Sequence, residues 1–167
     1  NNHDNKSDII VLSKKKITST KIILLASKKN PMIKIKIDTG DSTIIDCYCV
    51  HLTNPLTPKG FKTRNTELMN LISELKREKK NPQIVVGDFN ITPWSFYFKD
   101  LLLESKLLLS KVGFGISNTW YIFFTPLGLP IDHLIYSKEL SILNHQVGQQ
   151  SGSDHRPIIV DINLFHK

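Results

Sequence analysis

Three short polar runs in this 167-residue chain carry the residue types that hydrolytic chemistry uses. They are Gly87–Asn90, Pro130–His133 and Gly152–Pro157, and each adjoins an apolar run typical of a buried strand. Together they supply carboxylates, a carboxamide and at least one imidazole, which strand ends could bring into one cleft. Hard oxygen ligands hold divalent cations, and a histidine can move protons near neutral pH. This set of groups suits the metal-assisted hydrolysis of a phosphate ester.

The first run follows Gln83–Val86, whose β-branched residues predict a buried strand. Gly87 allows the chain to turn tightly where that strand ends. Asp88 and Asn90 would share one face of extended chain, about 6.8 Å apart along it, while Phe89 would point into the core. A plain turn explains this Asp-x-Asn sequence equally well when it is taken alone, because both residues favour turns.

The other two runs shift the balance toward a catalytic cleft. Asp154 and His155 stand where the chain enters the β-branched run Pro157–Ile162, and Asp132 opens another apolar run. A histidine that acts as a base usually needs a carboxylate that fixes its tautomer and stabilises its charged form. Three acids close to one histidine would supply that carboxylate and a metal ligand as well.

These runs, in this order, resemble the motifs of the endonuclease/exonuclease/phosphatase superfamily, which includes DNase I-like nucleases, apurinic endonucleases, sphingomyelinases and inositol-phosphate phosphatases. A fourth match is His51, which follows the predicted strand residues Ile44–Cys49. Matches to a bacterial branch of uncharacterised members are Arg64, Trp94, Ser95, Thr119 and Trp120. The resemblance extends from about Asp8 to Ile162, nearly the whole chain.

The resemblance implies a catalytic role for five of the matching residues. His155 would be the general base and Asp132 its carboxylate partner. Asp88 and Asn90 would orient the attacking water and hold the scissile phosphate. His51 would contact the phosphate or assist the leaving group.

The resemblance also implies a divalent cation, Mg²⁺ or alternatively Mn²⁺, with Asp88 and Asp154 among its ligands. Trp120 and Arg64 would contact the substrate, although the general prior for exposed charges favours a surface ion pair for Arg64 by roughly two to one. His133 has no matching role, and we expect it to be structural.

The implied fold is α/β, a four-layer α/β sandwich of the DNase I-like type with two packed sheets and helices outside them. Superfamily members carry an asparagine and a glutamate, the latter a principal Mg²⁺ ligand, on two strands that precede the matching motifs. The segment Asn1–Lys36 offers no strand that ends in such a glutamate. We therefore expect residues 1–167 to form a single, partial domain that lacks its N-terminal strands and belongs to a longer protein. By itself this chain is expected to bind Mg²⁺ weakly and to show little or no hydrolysis.

Hydrophobic periodicity predicts the elements that would position these groups. The predicted strands are Asp8–Ser13, Lys21–Ala26, Met32–Asp38, Thr43–Val50, Gln83–Val86, Leu134–Tyr136 and Pro157–Ile162. Phe61–Lys80 is the clearest helix, because its leucines recur at helical spacing and lysines stand at its end. Ser95–Leu103 is predicted as a second helix, whose aromatic residues 96–98 could grip a substrate but more often pack in a core. The order of these elements predicts α/β layers with mixed or antiparallel sheets.

The net charge of +7 and the pI of about 9.4 favour a polyanionic partner such as nucleic acid. A general bias toward lysine explains the charge almost as well. No apolar run of about 18 residues occurs, so no transmembrane helix is predicted in this chain. Cys47 and Cys49 lie on one strand, where they are poorly placed to bond each other.

Other functions stay open at this level. The substrate could be a phospholipid or a sugar phosphate: an apolar, exposed loop at Gly113–Pro130 would favour lipid, and a continuous basic groove would favour DNA. The same loop could instead cover the sheet edge. The chain could also be a non-catalytic phosphate- or nucleic-acid-binding module, or a phosphate-recognising subunit whose partner supplies catalysis. The complete set of acidic and histidine groups argues against a chain that has lost its chemistry.

Overall fold

The computed structural model describes residues 9–26, 30–77, 79–115, 117–121 and 128–164. The strands are β1 Lys16–Leu24, β2 Pro31–Asp38, β3 Ile44–His51, β4 Gln83–Asp88, β5 Leu108–Leu109, β6 Trp120–Tyr121, β7 Gly128–Leu129, β8 Asp132–Tyr136, β9 Leu140–Val147 and β10 Ile158–Leu164. The helices are α1 Pro58–Arg77 and α2 Phe96–Ser105. No helix among the described residues combines the length and the apolar character needed to cross a membrane.

Six strands form a central mixed sheet in the order β1-β2-β3-β4-β8-β5. Within it β3 and β4 are parallel, and the other neighbouring strands are antiparallel. Parallel neighbours need a crossover connection, and α1 lies in the segment that joins β3 to β4. The carboxyl ends of β3 and β4 therefore lie at the same edge of the sheet as the amino end of β8. The polar runs of the sequence stand at this edge.

The two helices cover one face of the central sheet. The core on this side is closely packed, with Tyr48, Val85, Phe89, Leu71, Phe98 and Leu101 fully buried. From α1 it receives Leu68, Leu71 and Leu75, at the spacing that the amphipathic pattern predicts.

The opposite face is covered by the hairpin β9–β10, which forms a second, two-stranded sheet. Apolar side chains of the hairpin pack against a buried cluster on the central sheet that includes Ile35, Ile84 and Leu134. Two sheets packed face to face confirm the sandwich expected from the sequence. The described residues build three layers, namely the helices, the central sheet and the hairpin, and within those residues no helical layer lies beyond the hairpin.

The clearest predicted helix is confirmed, but it starts earlier than its apolar pattern. The Thr57 Oγ1 accepts a hydrogen bond from the Gly60 N–H at 3.0 Å, and Pro58 is the first residue of α1. A threonine cap followed by proline is a common helix start, because proline lacks the N–H that would otherwise be unpaired there. The apolar periodicity begins only at Phe61, so the predicted helix Phe61–Lys80 begins three residues late, and it also extends beyond the observed end of α1 at Arg77.

The predicted strand at Asp8–Ser13 is wrong for its described part, because residues 9–13 are not in a strand and Asp8 lies outside the described residues. β1 instead begins at Lys16, in the segment between the predicted strands Asp8–Ser13 and Lys21–Ala26. Its extent follows from antiparallel pairing with β2, and most of its side chains are exposed. An edge strand of this kind leaves little hydrophobic pattern in the sequence.

The strand β9 was not predicted, because the polar residues Asn144, His145 and Gln146 interrupt its apolar pattern. Its pairing with β10 nevertheless extends from Leu140 to Val147. The predicted loop Gly113–Pro130 contains the short pair β6–β7, and residues 116 and 122–127 of that loop lie outside the described part of the chain.

Gly87 is the position where the sheet tolerates a side chain least. Its φ is 141°, and a Cβ there would lie 1.9 Å from the carbonyl oxygen of Val50 on β3. We expect Gly87→Ala to lower the free energy of unfolding by about 3 kcal/mol or more, measured by urea denaturation. Gly113→Ala is the matched control, since φ is 91° there but nothing lies within 4 Å of the position that a Cβ would take. Equal losses in the two variants would contradict the importance of the contact with Val50.

Candidate active site

The strand register places three polar side chains next to one another at the edge of the central sheet. His51, the last residue of β3, pairs with Asp88 at the end of β4, and Asp88 pairs with Asp132 at the start of β8. Residues in register on neighbouring strands lie about 5 Å apart and point to the same face. The His51 Nε2 is 3.7 Å from the Asp88 Oδ2. Three separate stretches of sequence thus meet at one position.

Asp88 and Asn90 form a closed turn directly after β4. Asn90 has a φ of 49°, in the left-handed region that asparagine tolerates better than most residues. The Asp88 Oδ1 accepts a hydrogen bond from the Asn90 backbone N–H at 2.7 Å, and the Oδ2 accepts one from the Asn90 Nδ2 at 3.0 Å. The same Nδ2 donates to the Leu52 carbonyl oxygen at 2.9 Å. The turn and the functional cluster are therefore not alternatives, since the turn fixes the Asp88 carboxylate.

Arg64 of α1 supports this turn from the protein interior. It is 4% exposed, and its Nη1 donates to the Asn90 carbonyl oxygen at 2.7 Å while its Nε donates to the Asn65 Oδ1 at 2.8 Å. Burial lowers the pKa of the guanidinium group. The expected surface ion pair is wrong, because the inward face of α1 meets the Asn90 loop. The sequence pattern places Arg64 on a helix but does not show what that helix faces.

His133 supports the same loop from the side of β8. Its ring is buried, with its centroid 4.5 Å from that of Phe98 and 5.6 Å from that of Phe89. Burial lowers the His133 pKa to about 4, so the imidazole is neutral at neutral pH. The Nε2–H then donates to the Ile91 carbonyl oxygen at 2.8 Å. The expected structural role of His133 is confirmed.

His155 and Asp132 form a hydrogen-bonded pair beside the turn. The His155 Nδ1 lies 2.8 Å from the Asp132 Oδ2. A carboxylate accepts this bond, so the proton sits on Nδ1, and in the neutral imidazole Nε2 keeps a free lone pair. The bond to Asp132 raises the pKa of His155, while its partial burial acts in the opposite direction. In this geometry a carboxylate fixes the tautomer and the orientation of the imidazole.

Thr119 positions both members of that pair, although the sequence suggested no role for it beyond its match to the bacterial branch. The Thr119 Oγ1 accepts hydrogen bonds from the backbone N–H groups of Ile131 at 3.3 Å and Asp132 at 3.1 Å. Its carbonyl oxygen accepts the N–H of Arg156 at 2.7 Å. One fully buried threonine therefore ties the start of β8 to the segment that carries His155. A single threonine in a loop has no periodicity that could reveal this.

Glu67 anchors the loop that follows His51 and was also missed. It is fully buried, and its two carboxylate oxygens accept hydrogen bonds from the Thr53 N–H at 2.7 Å and the Thr53 hydroxyl at 2.8 Å. Burial raises the pKa of Glu67, and the bonds from Thr53 oppose that shift. The available signal was its position three residues after Arg64, on the same face of α1.

Asp154 and Trp120 meet at the rim of the cluster. The Trp120 Nε1 donates to the Asp154 Oδ2 at 3.2 Å, and Asp154 is exposed. Among the described residues the group able to hold a metal comprises Asp88, Asp132 and His155, without Asp154. Metal ligation by Asp154 and substrate contact by Trp120 stay predictions.

The group formed by Asp88, Asp132 and His155 has the donor types that a hard divalent cation accepts. Its ligand atoms all lie within 4.8 Å of one another. Burial raises the pKa of Asp88 to about 7, and the nearby carboxylate of Asp132 adds to this shift. Two adjacent carboxylates that resist joint ionisation form a site whose charge a cation would offset. The residues present therefore fit a divalent metal ion.

His51 completes the cluster with a different electrostatic character. Its side chain is 44% exposed and lies beside Asp88. Burial of part of the ring lowers the His51 pKa, and the charge of His155 adds to that effect. Near neutral pH this imidazole is largely neutral, so it can donate one hydrogen bond and accept another.

We expect Asp88→Asn to stabilise the metal-free protein at neutral pH. The folded-state pKa of Asp88 is about 7, above its ordinary value of 3.8, so wild-type stability falls as the pH rises between those two values. Asparagine does not ionise, but it loses an acceptor for the Asn90 Nδ2, so the net gain should be on the order of 1 kcal/mol.

Urea denaturation of both proteins in the presence of EDTA measures this difference. The advantage of the variant should be small near pH 4 and largest near pH 8, above the folded-state pKa of Asp88. A difference between the two proteins that does not change with pH would show that Asp88 titrates normally.

Comparison with known proteins places this geometry in a family. Residues 1–155 match the model of the Endonuclease/Exonuclease/phosphatase family. A UPF0294 protein of Vibrio campbellii is 33% identical over 104 residues, which cover 59% of this chain and 34% of that protein. The chain thus spans about a third of the length of the curated relatives it matches.

Two solved structures share the fold. An endonuclease/exonuclease/phosphatase from Beutenbergia cavernae matches with a TM-score of 0.77 and 14% identity, over 91% of this chain and 46% of that one. The human Nocturnin catalytic domain, solved with a bound sulfate anion, matches with a TM-score of 0.72 and 22% identity, over 90% of this chain and 60% of that one. The fold is therefore of the DNase I-like type, and the chain belongs to the Endonuclease/Exonuclease/phosphatase family.

Proposed function

We propose that this chain carries the catalytic groups of a metal-dependent phosphoesterase, and that a phosphodiester of nucleic acid is the favoured substrate. Family membership supports the hydrolysis of phosphate esters. The observation that carries the proposal is the His155–Asp132 pair, bonded at 2.8 Å and adjacent to the partly buried carboxylate of Asp88. The net charge of +7 supports a polyanionic substrate.

In this proposal His155 is the general base. Asp132 holds the Nδ1 proton, so the Nε2 lone pair is available to take a proton from the attacking water. The raised pKa of His155 makes it a stronger proton acceptor, and Asp132 stabilises the imidazolium that forms. Thr119 keeps Asp132 in position through its bond to the Asp132 N–H, 3.1 Å long.

Asp88 is the carboxylate best suited to a metal ligand, because Asp132 is bonded to His155. A bound Mg²⁺ or Mn²⁺ would supply Lewis-acid stabilisation of the phosphoryl oxygens. The Asp88 side chain retains lone pairs beyond the two bonds from Asn90, since an ionised carboxylate offers about four acceptor positions. Asp154, which precedes His155 directly in the sequence, would add negative charge at the rim.

Asn90 acts differently from the first expectation. Both amide hydrogens are donated, to Leu52 and to Asp88, so only its Oδ1 is free to accept. We therefore assign Asn90 to the orientation of Asp88 and of the attacking water rather than to hydrogen bonding of a phosphate oxygen. Arg64 then acts through the Asn90 backbone as a positioning residue, not as a direct substrate contact.

His51 is the group in the cluster best placed to donate to the substrate. It is the most exposed of the side chains in the His51–Asp88–Asp132 row, and its lowered pKa keeps it neutral near pH 7. A neutral imidazole with a free N–H can bond a phosphoryl oxygen or protonate a leaving oxygen. His51 thereby complements His155, whose raised pKa suits it to accept a proton.

In the full-length protein, we expect His155→Ala to reduce the turnover of a phosphodiester substrate by about 10²–10⁴-fold, the usual contribution of a general base. Asp132→Asn should also be severe, because it favours the wrong tautomer and removes stabilisation of the imidazolium. Steady-state hydrolysis of bis(p-nitrophenyl) phosphate measures both effects. Asp161→Asn, an exposed carboxylate on β10, is the control and should be unchanged. Near-wild-type turnover in His155→Ala would assign the base elsewhere.

We expect Mg²⁺ or Mn²⁺ to raise the Tm of this chain, and Asp88→Asn to remove most of that increase. A ligand that binds only the folded state stabilises it by mass action. Because the pKa of Asp88 is about 7, the proton competes with the metal and the increase should weaken at lower pH. Scanning calorimetry with and without EDTA measures this, with Asp161→Asn again as control. An increase of equal size in Asp88→Asn would place the metal site elsewhere.

A further inference from the structure

Four aromatic side chains form an exposed surface next to the candidate active site. Phe61 on α1 is 44% exposed, Trp94 is 61%, Phe96 is 72% and Tyr97 is 38%. We call these four residues the aromatic platform. Their neighbour Phe98 is fully buried in the helical core, so the aromatic run on α2 splits into one core residue and two surface residues. Core packing, which the sequence favoured for all three residues of the run, holds only for Phe98.

Three rings of the platform contact one another across two helices. The Phe61 and Tyr97 ring centroids lie 6.0 Å apart and those of Phe96 and Tyr97 lie 6.3 Å apart, with interplanar angles of 81° and 79°. Edge-to-face contacts of this kind hold rings in fixed orientations. Three of the four rings thus form a preformed surface.

The platform is joined to the active-site turn by direct contacts. The Arg64 Cζ lies 5.3 Å from the centroid of the Phe61 ring, and the Arg64 Nη1 bonds the Asn90 carbonyl oxygen at 2.7 Å. Trp94 lies in the turn that connects Asn90 to α2. A chain-like substrate with its phosphate beside Asp88 would therefore reach the platform with its next residues.

Charge on and around the platform favours an anionic polymer. Lys59 and Lys62 flank Phe61, Lys99 follows the aromatic run on α2, and all three lysines are exposed. Aromatic rings interleaved with cationic side chains are typical of surfaces that bind single-stranded nucleic acid, where bases stack on rings and phosphates meet lysines.

Polar residues on the approach to His155 disfavour docking on a lipid surface. The segment 149–154, which leads into His155, is polar and exposed throughout. A cleft that docked on a bilayer would press this segment into the headgroup and acyl region together with the platform, at a cost in desolvation of its polar groups. A flexible nucleic-acid strand, unlike a bilayer, needs an apolar surface on only one side of its phosphate.

Resting on the proposed function, we propose that the aromatic platform binds the unpaired bases that flank the scissile phosphate of a single-stranded nucleic acid. Phe61, Trp94, Phe96 and Tyr97 supply the stacking surfaces, and Lys59, Lys62 and Lys99 contact the phosphates. This surface would make the enzyme prefer a strand over a mononucleotide or a small diester.

Tryptophan fluorescence tests the platform without requiring turnover. The chain has two tryptophans, so in a Trp120→Phe background Trp94 is the reporter, and stacking of a base quenches it. The probe is oligothymidylate of about 12 nucleotides, within the length that such surfaces bind. Phe96→Ala and Tyr97→Ala should each weaken binding on the order of 10-fold. Leu103→Ala, which removes a 73% exposed apolar side chain from the same helix, should leave it unchanged.

Three results would overturn the proposal. The first is an affinity for oligothymidylate that does not change in the ring variants. The second is tighter binding of the matching duplex than of the single strand. The third is stronger quenching of Trp94 by phosphatidylcholine–phosphatidylserine vesicles than by oligothymidylate. Hydrolysis of bis(p-nitrophenyl) phosphate separates this inference from the proposed function. Ring-dependent oligothymidylate binding by a full-length protein that does not hydrolyse this substrate supports the platform and overturns the phosphoesterase assignment. Hydrolysis without ring-dependent binding supports the phosphoesterase assignment and overturns the platform.

Discussion

The close approach of two carboxylates on neighbouring strands is the interaction on which the rest of this site depends. Asp88 and Asp132 are paired in register at the edge of the central sheet, and burial together with their mutual repulsion raises the Asp88 pKa to about 7. Such an arrangement costs folding free energy unless a cation or an imidazole offsets the charge. His155, bonded to Asp132, offsets part of it. The same repulsion that destabilises the metal-free cluster makes it a good receptor for a metal ion.

The surrounding structure holds this unfavourable arrangement in place through backbone contacts. Arg64 and His133 bond the carbonyl oxygens of Asn90 and Ile91 from opposite sides, and Thr119 bonds the N–H of Asp132. Each of these supports is buried, and each binds main chain rather than the side chains of the candidate site. Buried residues therefore hold the backbone of the candidate site in place, while His51 at its rim is partly exposed to solvent.

The sequence predicted the types of the elements better than their limits. The helix α1, the β2–β3 hairpin and the strand β4 follow from periodicity and turn residues, because their buried faces are apolar. Only residues 21–24 of β1 were predicted, since it is an exposed edge strand, and β9 was not predicted, since polar residues interrupt it. In both cases hydrogen bonding to a neighbouring strand, which no local pattern encodes, decides the conformation.

The sequence by itself determined which groups are available for chemistry: carboxylates at strand ends, a glycine that only a tight turn requires, and a histidine next to an acid. The motifs also indicated the family. The resemblance also named Asp132 as the partner of His155, and the hydrogen bond between them agrees with that prediction. Only the tertiary structure decided that Arg64 faces inward and that the aromatic run of α2 divides between core and surface. The physical reason is that these outcomes depend on strand register and helix packing, where a shift of one residue turns a side chain to the other face. The residue type sets the chemistry of which a side chain is capable, and the packing sets which neighbouring groups it contacts.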